Sequence, residues 1–319
     1  MPQISQQQLE ILQATQILKQ GGLVVIPTET VYGLAANAMD TEAVKKIFEL
    51  KGRPANHPLI VHIASVDFLK QWAKDIPETA YQLAEHFWPG PLTLILNKRD
   101  DIQTIVTGGQ NTIGLRCPNN PLTLELLRAF GGGLAAPSAN RFGHISPTTA
   151  QHVRDEFGAQ TPIILDAGAC DIGIESTIID LTQTPARILR PGQISFEQLQ
   201  VFIPNLQQGA QQNSPRVSGD LMAHYAPRTA MKMLSRDEMV TRSMHQKIVA
   251  LCFETLPEGF TGITIAKHAE TYAQLLYANL RALDNLQADM IMIEQIPQTE
   301  QWRAIADRLQ RALAGSGNL

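Results

Sequence analysis

A cluster of polar side chains follows the apolar run Leu23–Ile26, which reads as a buried strand. The next segment, Pro27–Gly33, places the hydroxyl groups of two threonines and a tyrosine around the carboxylate of Glu29. Proline and glycine at its two ends restrict the backbone of this segment. Because packing alone does not explain so much polarity directly after a strand, we predict that these groups face a ligand.

Two cations, Lys51 and Arg53, stand on either side of Gly52 at the end of a predicted helix. A compact ammonium group beside a planar guanidinium group suits the oxygens of a polyphosphate. Cations also favour the carboxyl end of a helix through its macrodipole, so a solvated helix end is the alternative interpretation. The pair therefore indicates phosphate binding without requiring it.

A lone arginine, Arg116, ends the predicted strand Thr112–Arg116. Burying an unpaired charge is costly, so Arg116 needs an anionic partner, either a protein carboxylate or a ligand carboxylate. His62 lies on the opposite face of its own predicted strand from Val61 and Ile63. Here a core histidine with satisfied polar atoms and a site residue are both open interpretations.

Small and polar residues also follow the short apolar strand that ends at Ala136. Ser138 and Asn140 could form an ordinary turn, or contact a ligand that approaches the backbone there. Ser146 precedes Pro147 and resembles a helix N-cap, whose free N–H groups could also receive a phosphate. The sequence contains no nucleophile elbow, phosphate-binding Walker loop or metal-ligand cluster. Any Mg²⁺ needed by a bound nucleotide is therefore expected to be held mainly by the nucleotide and water.

The elements that position these groups alternate between helix and strand. They predict an α/β fold in which residues 1–203 form a domain around one large, twisted, mixed sheet. Residues 204–228 are rich in Gln, Asn, Ser, Pro and Gly and are predicted to be a linker. Residues 229–319 are predicted to form a smaller, Rossmann-like α/β domain that has no glycine-rich phosphate loop.

The chain has 319 residues, of which 44% are hydrophobic and 18% charged, as in a globular protein that folds in water. Its net charge of −4 and pI of about 6.1 argue against a broad electrostatic grip on nucleic acid. The three cysteines are far apart and suggest neither a zinc site nor a disulfide framework, which favours a reducing cytoplasm. No signal segment or membrane-spanning run is visible in the sequence.

Several of these segments, taken in order, resemble the YrdC-like family and together cover about the first 195 residues. The signature is Lys-x-Arg at 51–53 followed by Ser-x-Asn at 138–140. The other matching segments are Pro27–Leu34, His57–His62, Trp88–Thr93, Thr112–Arg116 and Glu175–Thr177. His-Tyr-Ala-Pro at 224–227, followed by a further α/β domain, resembles the longer, two-domain branch of the family.

The resemblance implies that L-threonine, bicarbonate and ATP are converted to threonylcarbamoyl-AMP, pyrophosphate and water. A partner transferase would then pass the threonylcarbamoyl group to an adenosine beside the anticodon of tRNA. Direct contact of this chain with tRNA would be weak or transient. No covalent nucleophile is implied, so catalysis would depend on placing the reactants together and stabilising phosphate charge.

The resemblance also implies roles for individual residues. Lys51 and Arg53 would be the catalytic groups. The threonine site would comprise Thr30, His62, Arg116, Ala136 and Ser176. The ATP site would comprise Lys51, Arg53, His57, Thr112, Ser138, Asn140, Ser146 and Arg190, with Tyr225 contributed by the linker.

Two other functions are weighed against this one. Hydrogenase-maturation carbamoyltransferases share the fold, but they carry zinc-finger and acylphosphatase-like regions that are not visible in this sequence. The acidic pI counts against an RNA-binding protein with a concave basic surface, which would need a local basic patch. Release of pyrophosphate that depends on both threonine and bicarbonate would separate the enzyme from the RNA-binding protein.

Overall fold

The computed structural model describes residues 5–241 and 247–318. The chain divides into two compact units. The first comprises the chain up to Arg141 together with Pro147–Asp171 and Glu175–Asp220. The second comprises Phe142–Ser146, Ile172–Ile174 and the chain from Leu221 onward.

The first unit contains seven helices and ten strands among its described residues. The helices are α1 (Gln6–Lys19), α2 (Thr41–Lys51), α3 (Leu69–Trp72), α4 (Glu78–Phe87), α5 (Pro121–Phe130), α6 (Ala150–Phe157) and α7 (Phe196–Gln200). The strands are β1 (Val24–Ile26), β2 (Gly33–Asn37), β3 (Ile60–His62), β4 (Leu92–Asn97), β5 (Thr112–Arg116), β6 (Leu134–Ala135), β7 (Ile163–Ile164), β8 (Thr177–Asp180), β9 (Arg187–Arg190) and β10 (Gln207–Gln208).

All ten strands form one sheet in the order β10-β9-β8-β4-β5-β3-β6-β2-β1-β7. Four neighbouring pairs are parallel, namely β10 with β9, β8 with β4, β5 with β3 and β1 with β7. The remaining pairs are antiparallel. The predicted large mixed sheet is therefore confirmed.

Helix α2 shows how local sequence positions a functional group. Asp40 caps its first turn by accepting hydrogen bonds from the N–H groups of Glu42 and Ala43. The helix buries Val44 and Ile47 against the core of the first unit. It ends at Gly52, whose φ of 63° is the left-handed conformation that glycine adopts without strain. The turn places one cation immediately before the glycine and the other immediately after it.

The second unit is built on a four-stranded parallel sheet. Its strands are β11 (Met231–Leu234), β12 (Ile248–Phe253), β13 (Thr261–Ile265) and β14 (Met290–Glu294), in the order β11-β14-β12-β13. Its helices are α8 (Arg236–Val240), α9 (Ala269–Asp284) and α10 (Arg303–Gly315). The predicted second α/β domain with its own parallel sheet is confirmed. In the described parts of the chain, no helix has the length and apolar character needed to cross a membrane.

Some details differ from the predicted elements. Strand β2 was not predicted, because its sequence Gly-Leu-Ala-Ala-Asn mixes small residues without a clear alternation. Helix α6 begins at Ala150 with Thr149 as its N-cap, so Ser146 is not a helix cap. Helix α10 is preceded by a 3₁₀ turn at Glu300–Trp302.

Candidate active site

The side chain of Lys51 joins the two halves of the signature. Its Nζ atom donates hydrogen bonds to the backbone oxygens of Ser138, at 2.6 Å, and Asn140. Only 2% of Lys51 is exposed. Burial, with a smaller contribution from the neighbouring Arg53, holds the pKa of Lys51 well below its usual value, and Glu156 partly offsets this shift. The two motifs, 87 positions apart in sequence, therefore form one cluster in space.

Arg53 is also buried, with 7% of its surface exposed. Its Nη2 atom donates to the backbone oxygen of Pro58 at 2.9 Å and makes a longer contact, 3.4 Å, with Oγ of Ser218. Since both cations are removed from solvent, the interpretation of Lys51 and Arg53 as a solvated helix end is wrong. Buried cations beside backbone carbonyls are suited to receive an anion.

The hydroxyl of Thr30 is held by Thr28 directly after β1. Oγ1 of Thr28 donates to the backbone oxygen of Val31 at 2.6 Å and accepts from the N–H groups of Thr30 and Val31. Its single hydrogen is thereby used, so in the 2.8 Å contact between the two hydroxyls Thr30 is the donor. The lone pairs of the Thr30 oxygen remain available to accept a hydrogen bond from a ligand.

Arg116 has a protein carboxylate as its partner. Nη2 of Arg116 lies 2.7 Å from Oε1 of Glu29, and the two side chains are 5% and 4% exposed. Nε of Arg116 donates to the backbone oxygen of Gly90 at 3.3 Å. Within the described residues, neither atom of the ion pair has a hydrogen-bond partner with suitable angles. The two charges neutralise each other without using up the directed donors of the guanidinium group.

His62 lies beside Arg116, because the parallel strands β3 and β5 pair these two residues in register. Burial, together with the charge of Arg116, lowers the pKa of His62 to about 3. Its imidazole is therefore neutral at physiological pH. Among the described residues, its Nδ1 atom has no hydrogen-bond partner. His62 is thus not a core histidine with all its polar atoms satisfied.

Ser176 connects β8 with two neighbouring segments. Its Oγ lies 2.8 Å from Oγ1 of Thr93, on β4, and accepts from Nη2 of Arg190 at 3.0 Å. Nε of Arg190 donates to the backbone oxygen of Ser176, and its Nη1 donates to that of Ser218 at 2.8 Å. Arg190 thereby links the Ser176 hydroxyl to the backbone of Ser218.

A shallow groove, partly open to solvent, lies in the first unit beside Pro58 and Ser218, two contacts of the Arg53 side chain. His57 directly precedes Pro58, which lines the groove. Burial, together with the charge of Arg53, lowers the pKa of His57. The backbone N–H of Ala136 donates a hydrogen bond to the backbone oxygen of Ile60 at 3.0 Å, next to the pairing of β6 with β3. The residues that line the groove are Pro58, Leu59, Ile60, Ile95, Gln110, Thr112, Gly114, Ile178, Arg216, Val217 and Ser218.

The predicted residues are brought together to different degrees. Direct hydrogen bonds join Lys51 to Ser138 and Asn140, and Ser176 to Arg190. Two predicted ATP contacts, Ser146 and Tyr225, belong to the second unit and are buried there. In that unit the ring of Tyr225 packs 5.7 Å from that of Tyr277 and 5.4 Å from the guanidinium of Arg308.

Sequence reasoning missed three residues at the site. Thr93 is part of the Trp88–Thr93 motif, and its place near the start of a strand beside a Pro-Gly-Pro turn is the signal that could identify it. Glu29 was noted as the central carboxylate but was not assigned a role. Ser218 gave no signal, because a serine in a polar linker is ordinary. In the described residues, no group of three or more His, Cys, Asp or Glu side chains is arranged to hold a metal ion.

Comparison with known proteins gives matches over both units. A family model described as "Telomere recombination", for the Sua5/YciO/YrdC family, matches residues 16–192. A second model, described as "Threonylcarbamoyl-AMP synthase, C-terminal domain", matches residues 194–314. The first match alone covers more than half of the chain.

Individual relatives are similar over nearly the whole chain. A threonylcarbamoyl-AMP synthase of Pyrococcus abyssi is 38% identical over 94% of this chain and 92% of the relative. One of Bacillus subtilis is 38% identical over 96% of this chain and 93% of the relative. A crystal structure of P. abyssi Sua5 complexed with L-threonine has a TM-score of 0.89 and 36% identity, over 96% of this chain and 94% of that chain.

Proposed function

Because the chain belongs to the Sua5/YciO/YrdC family, we propose that it is an L-threonylcarbamoyladenylate synthase. The reaction converts L-threonine, bicarbonate and ATP into threonylcarbamoyl-AMP, pyrophosphate and water. Relatives that carry this activity in their names match this chain at 35–38% identity over at least 91% of its length. The chain is thus a nucleotidyltransferase of tRNA modification.

The chemistry has two steps that need different kinds of help. The amine of threonine first captures the carbon of bicarbonate or CO₂ to give a carbamate. A carbamate oxygen then attacks the α-phosphorus of ATP, and pyrophosphate leaves. Negative charge develops on the phosphoryl oxygens in the second step, so preorganised cations lower its barrier. Lys51 and Arg53 are the cations that we assign to this task.

The observation that carries the proposal is the buried cluster in which Lys51 donates to Ser138 and Asn140. Lys51 has little solvent to stabilise its charge, and its depressed pKa reflects that cost. A triphosphate bound beside it would supply the missing counter-charge. We therefore propose that the nucleotide binds along this cluster and the adjoining groove, with contacts from His57, Thr112, Ser138, Asn140, Ser146, Arg190 and Tyr225.

The threonine site is proposed around the ion pair of Arg116 and Glu29. Arg116 retains directed donors for a carboxylate, and the Thr30 oxygen retains lone pairs for the substrate hydroxyl. The neutral His62 offers an unused Nδ1 beside them. Ser176 and the backbone of Ala136 complete the proposed contacts. ATP enters as a substrate, and its Mg²⁺ would be held mainly by the phosphates and water.

We further propose that residues 204–228 act as a lid on the nucleotide, between a catalytic domain of residues 1–203 and a second domain of residues 229–319. Within the first unit, part of this segment already contacts the site. Oγ of Ser218 donates to the backbone oxygen of Pro58 at 2.9 Å, and Arg216 donates to that of Gly108. A segment that lies against the groove can order over a ligand and exclude water.

The product is a reactive mixed anhydride, so a downstream tRNA threonylcarbamoyl transferase must consume it. We propose a cytoplasmic setting for both steps and only a weak or transient contact of this chain with tRNA. The test of the function is pyrophosphate release with each substrate omitted in turn. Release should require threonine and bicarbonate together with ATP. Release with ATP and threonine alone, in medium freed of CO₂, would contradict the proposal.

A further inference from the structure

Glu29 is a buried carboxylate with one fixed oxygen and one incompletely used oxygen. It follows β1, and only 4% of it is exposed. Oε2 accepts a hydrogen bond from the backbone N–H of Asn119 at 3.0 Å. Oε1 lies 2.7 Å from Nη2 of Arg116, but among the described residues it accepts no hydrogen bond. Glu29 therefore keeps a directed acceptor inside the site.

A buried ion pair of this kind contributes little to stability unless its remaining donors and acceptors are satisfied. Here the guanidinium Nη2 and the carboxylate Oε1 both lack a hydrogen bond with suitable angles. The pair thus combines a directed donor for an anionic group with a directed acceptor for a cationic group, 2.7 Å apart. An α-amino acid carries those two groups on one carbon atom.

We propose that Glu29 binds the ammonium group of L-threonine while Arg116 binds its carboxylate. This inference rests on the proposed function and adds a specificity residue to it. The zwitterion gives each buried charge a hydrogen-bonded partner without changing the net charge of the site. Glu29 also rejects a hydroxy acid that has no ammonium group, because such a ligand places a second carboxylate next to Glu29 without a cationic group to compensate its charge.

Two ligands separate this role from a merely structural one. L-Threonine carries the ammonium group, and (R)-3-hydroxybutyrate keeps the carboxylate and the hydroxyl but lacks it. Binding of each to the full-length protein is measured by calorimetry in the presence of ATP, without bicarbonate. The wild-type protein should prefer threonine by about 10- to 100-fold, the value of one charge-assisted hydrogen bond.

Glu29→Gln keeps the shape and an acceptor for the Asn119 N–H group but removes the charge. In this variant the preference for threonine should fall to within about threefold, with the affinity for hydroxybutyrate unchanged or improved. Glu29→Asp keeps the charge on a shorter side chain and should restore part of the preference. Thermal unfolding and ATP affinity of each variant verify that it is folded.

An unchanged preference ratio in Glu29→Gln would overturn the inference, including the case in which both ligands bind more weakly by the same factor. That second pattern is what a purely structural role, acting through the position of Arg116, would give. If the wild-type protein bound threonine no better than hydroxybutyrate, the inference would be wrong as well. Absence of threonine-dependent pyrophosphate release by the wild-type protein would instead overturn the proposed function itself.

Discussion

Nζ of Lys51 donates a 2.6 Å hydrogen bond to the backbone oxygen of Ser138, which joins the end of a helix to the turn after a short strand. The lysine is buried, and its pKa is depressed because little solvent reaches the ammonium group. This bond makes one site out of two motifs that are distant in sequence.

We expect the planar geometry of the Arg53 guanidinium group, in addition to its charge, to contribute to turnover of ATP. Arg53→Lys keeps the positive charge but loses the geometry that contacts two phosphate oxygens at once, so kcat/KM for ATP should fall by about tenfold or more. Arg99→Lys is the matched control, because Arg99 is 45% exposed and its guanidinium group contacts the exposed Asp101 and the backbone oxygen of Lys70. Wild-type kinetics for Arg53→Lys would remove it from the catalytic groups.

Arg116 is expected to act on threonine and hardly on ATP. Arg116→Lys keeps a cation opposite Glu29, which avoids leaving a buried carboxylate unpaired. The KM for threonine should rise by about tenfold, the loss of roughly one charge-assisted hydrogen bond, while the KM for ATP stays within about twofold. The exposed Arg128→Lys is the control. Equal changes in both KM values would show that the substitution disturbs the whole site.

The buried His62 should make the protein less stable in acid. Its folded pKa of about 3 lies below the ordinary value of 6.5, so between these pH values the unfolded chain binds a proton that the folded chain does not. The free energy of unfolding should therefore fall as the pH falls from 6.5 towards 3, by at most about 1.4 kcal/mol per pH unit from this group.

Chemical denaturation of the wild-type protein and of His62→Gln at pH 7 and pH 5 measures this effect. The variant should lose less stability than the wild-type protein over that interval. Substitution of the exposed His86 by Gln is the control and should follow the wild-type pH dependence. If His62→Gln and the wild-type protein lost the same free energy, the imidazole would not be buried in its neutral form.

Residues 204–228 should become protected when the nucleotide binds. ATP together with threonine should slow hydrogen exchange across residues 214–220 by about tenfold or more, because closure of a lid removes the backbone from water. The exposed residues 99–101 are the internal control. Arg216→Ala, which loses the bond to Gly108, should weaken this protection. If hydrogen exchange in this segment were the same with and without ATP and threonine, the segment would be only a tether.

The mixed sheet could be predicted because apolar runs bounded by turn residues indicate strands in a single sequence. The sequence did not predict the hydrogen bond between Lys51 and Ser138, since no local pattern shows that a lysine reaches a turn 87 positions away. The partner of Arg116 was left open between a protein and a ligand carboxylate. Only the folded structure identifies Glu29, because the pair joins the segment after β1 to the end of β5, and these are brought together only by the order of the strands in the sheet.

The ends of elements were the weakest predictions, for a physical reason. Ser146-Pro147 satisfies the local rules for a helix start, yet the chain delays α6 until Ala150, where the hydroxyl of Thr149 caps the N–H of His152. Several residues near a helix start can serve as caps, and tertiary packing selects one of them. The contacts of Ser218 could not be predicted for a different reason, since its sequence surroundings have no periodicity.

The central claim is that the carbon of bicarbonate ends up between the nitrogen of threonine and the α-phosphate of ATP. The most direct measurement is NMR of the product formed from ¹³C-bicarbonate, ¹⁵N-threonine and ATP. A ¹³C carbonyl signal split by both ¹⁵N and ³¹P is the predicted result, with pyrophosphate released in equal amount. An adenylate that contains threonine but no ¹³C, or ADP in place of pyrophosphate, would contradict it.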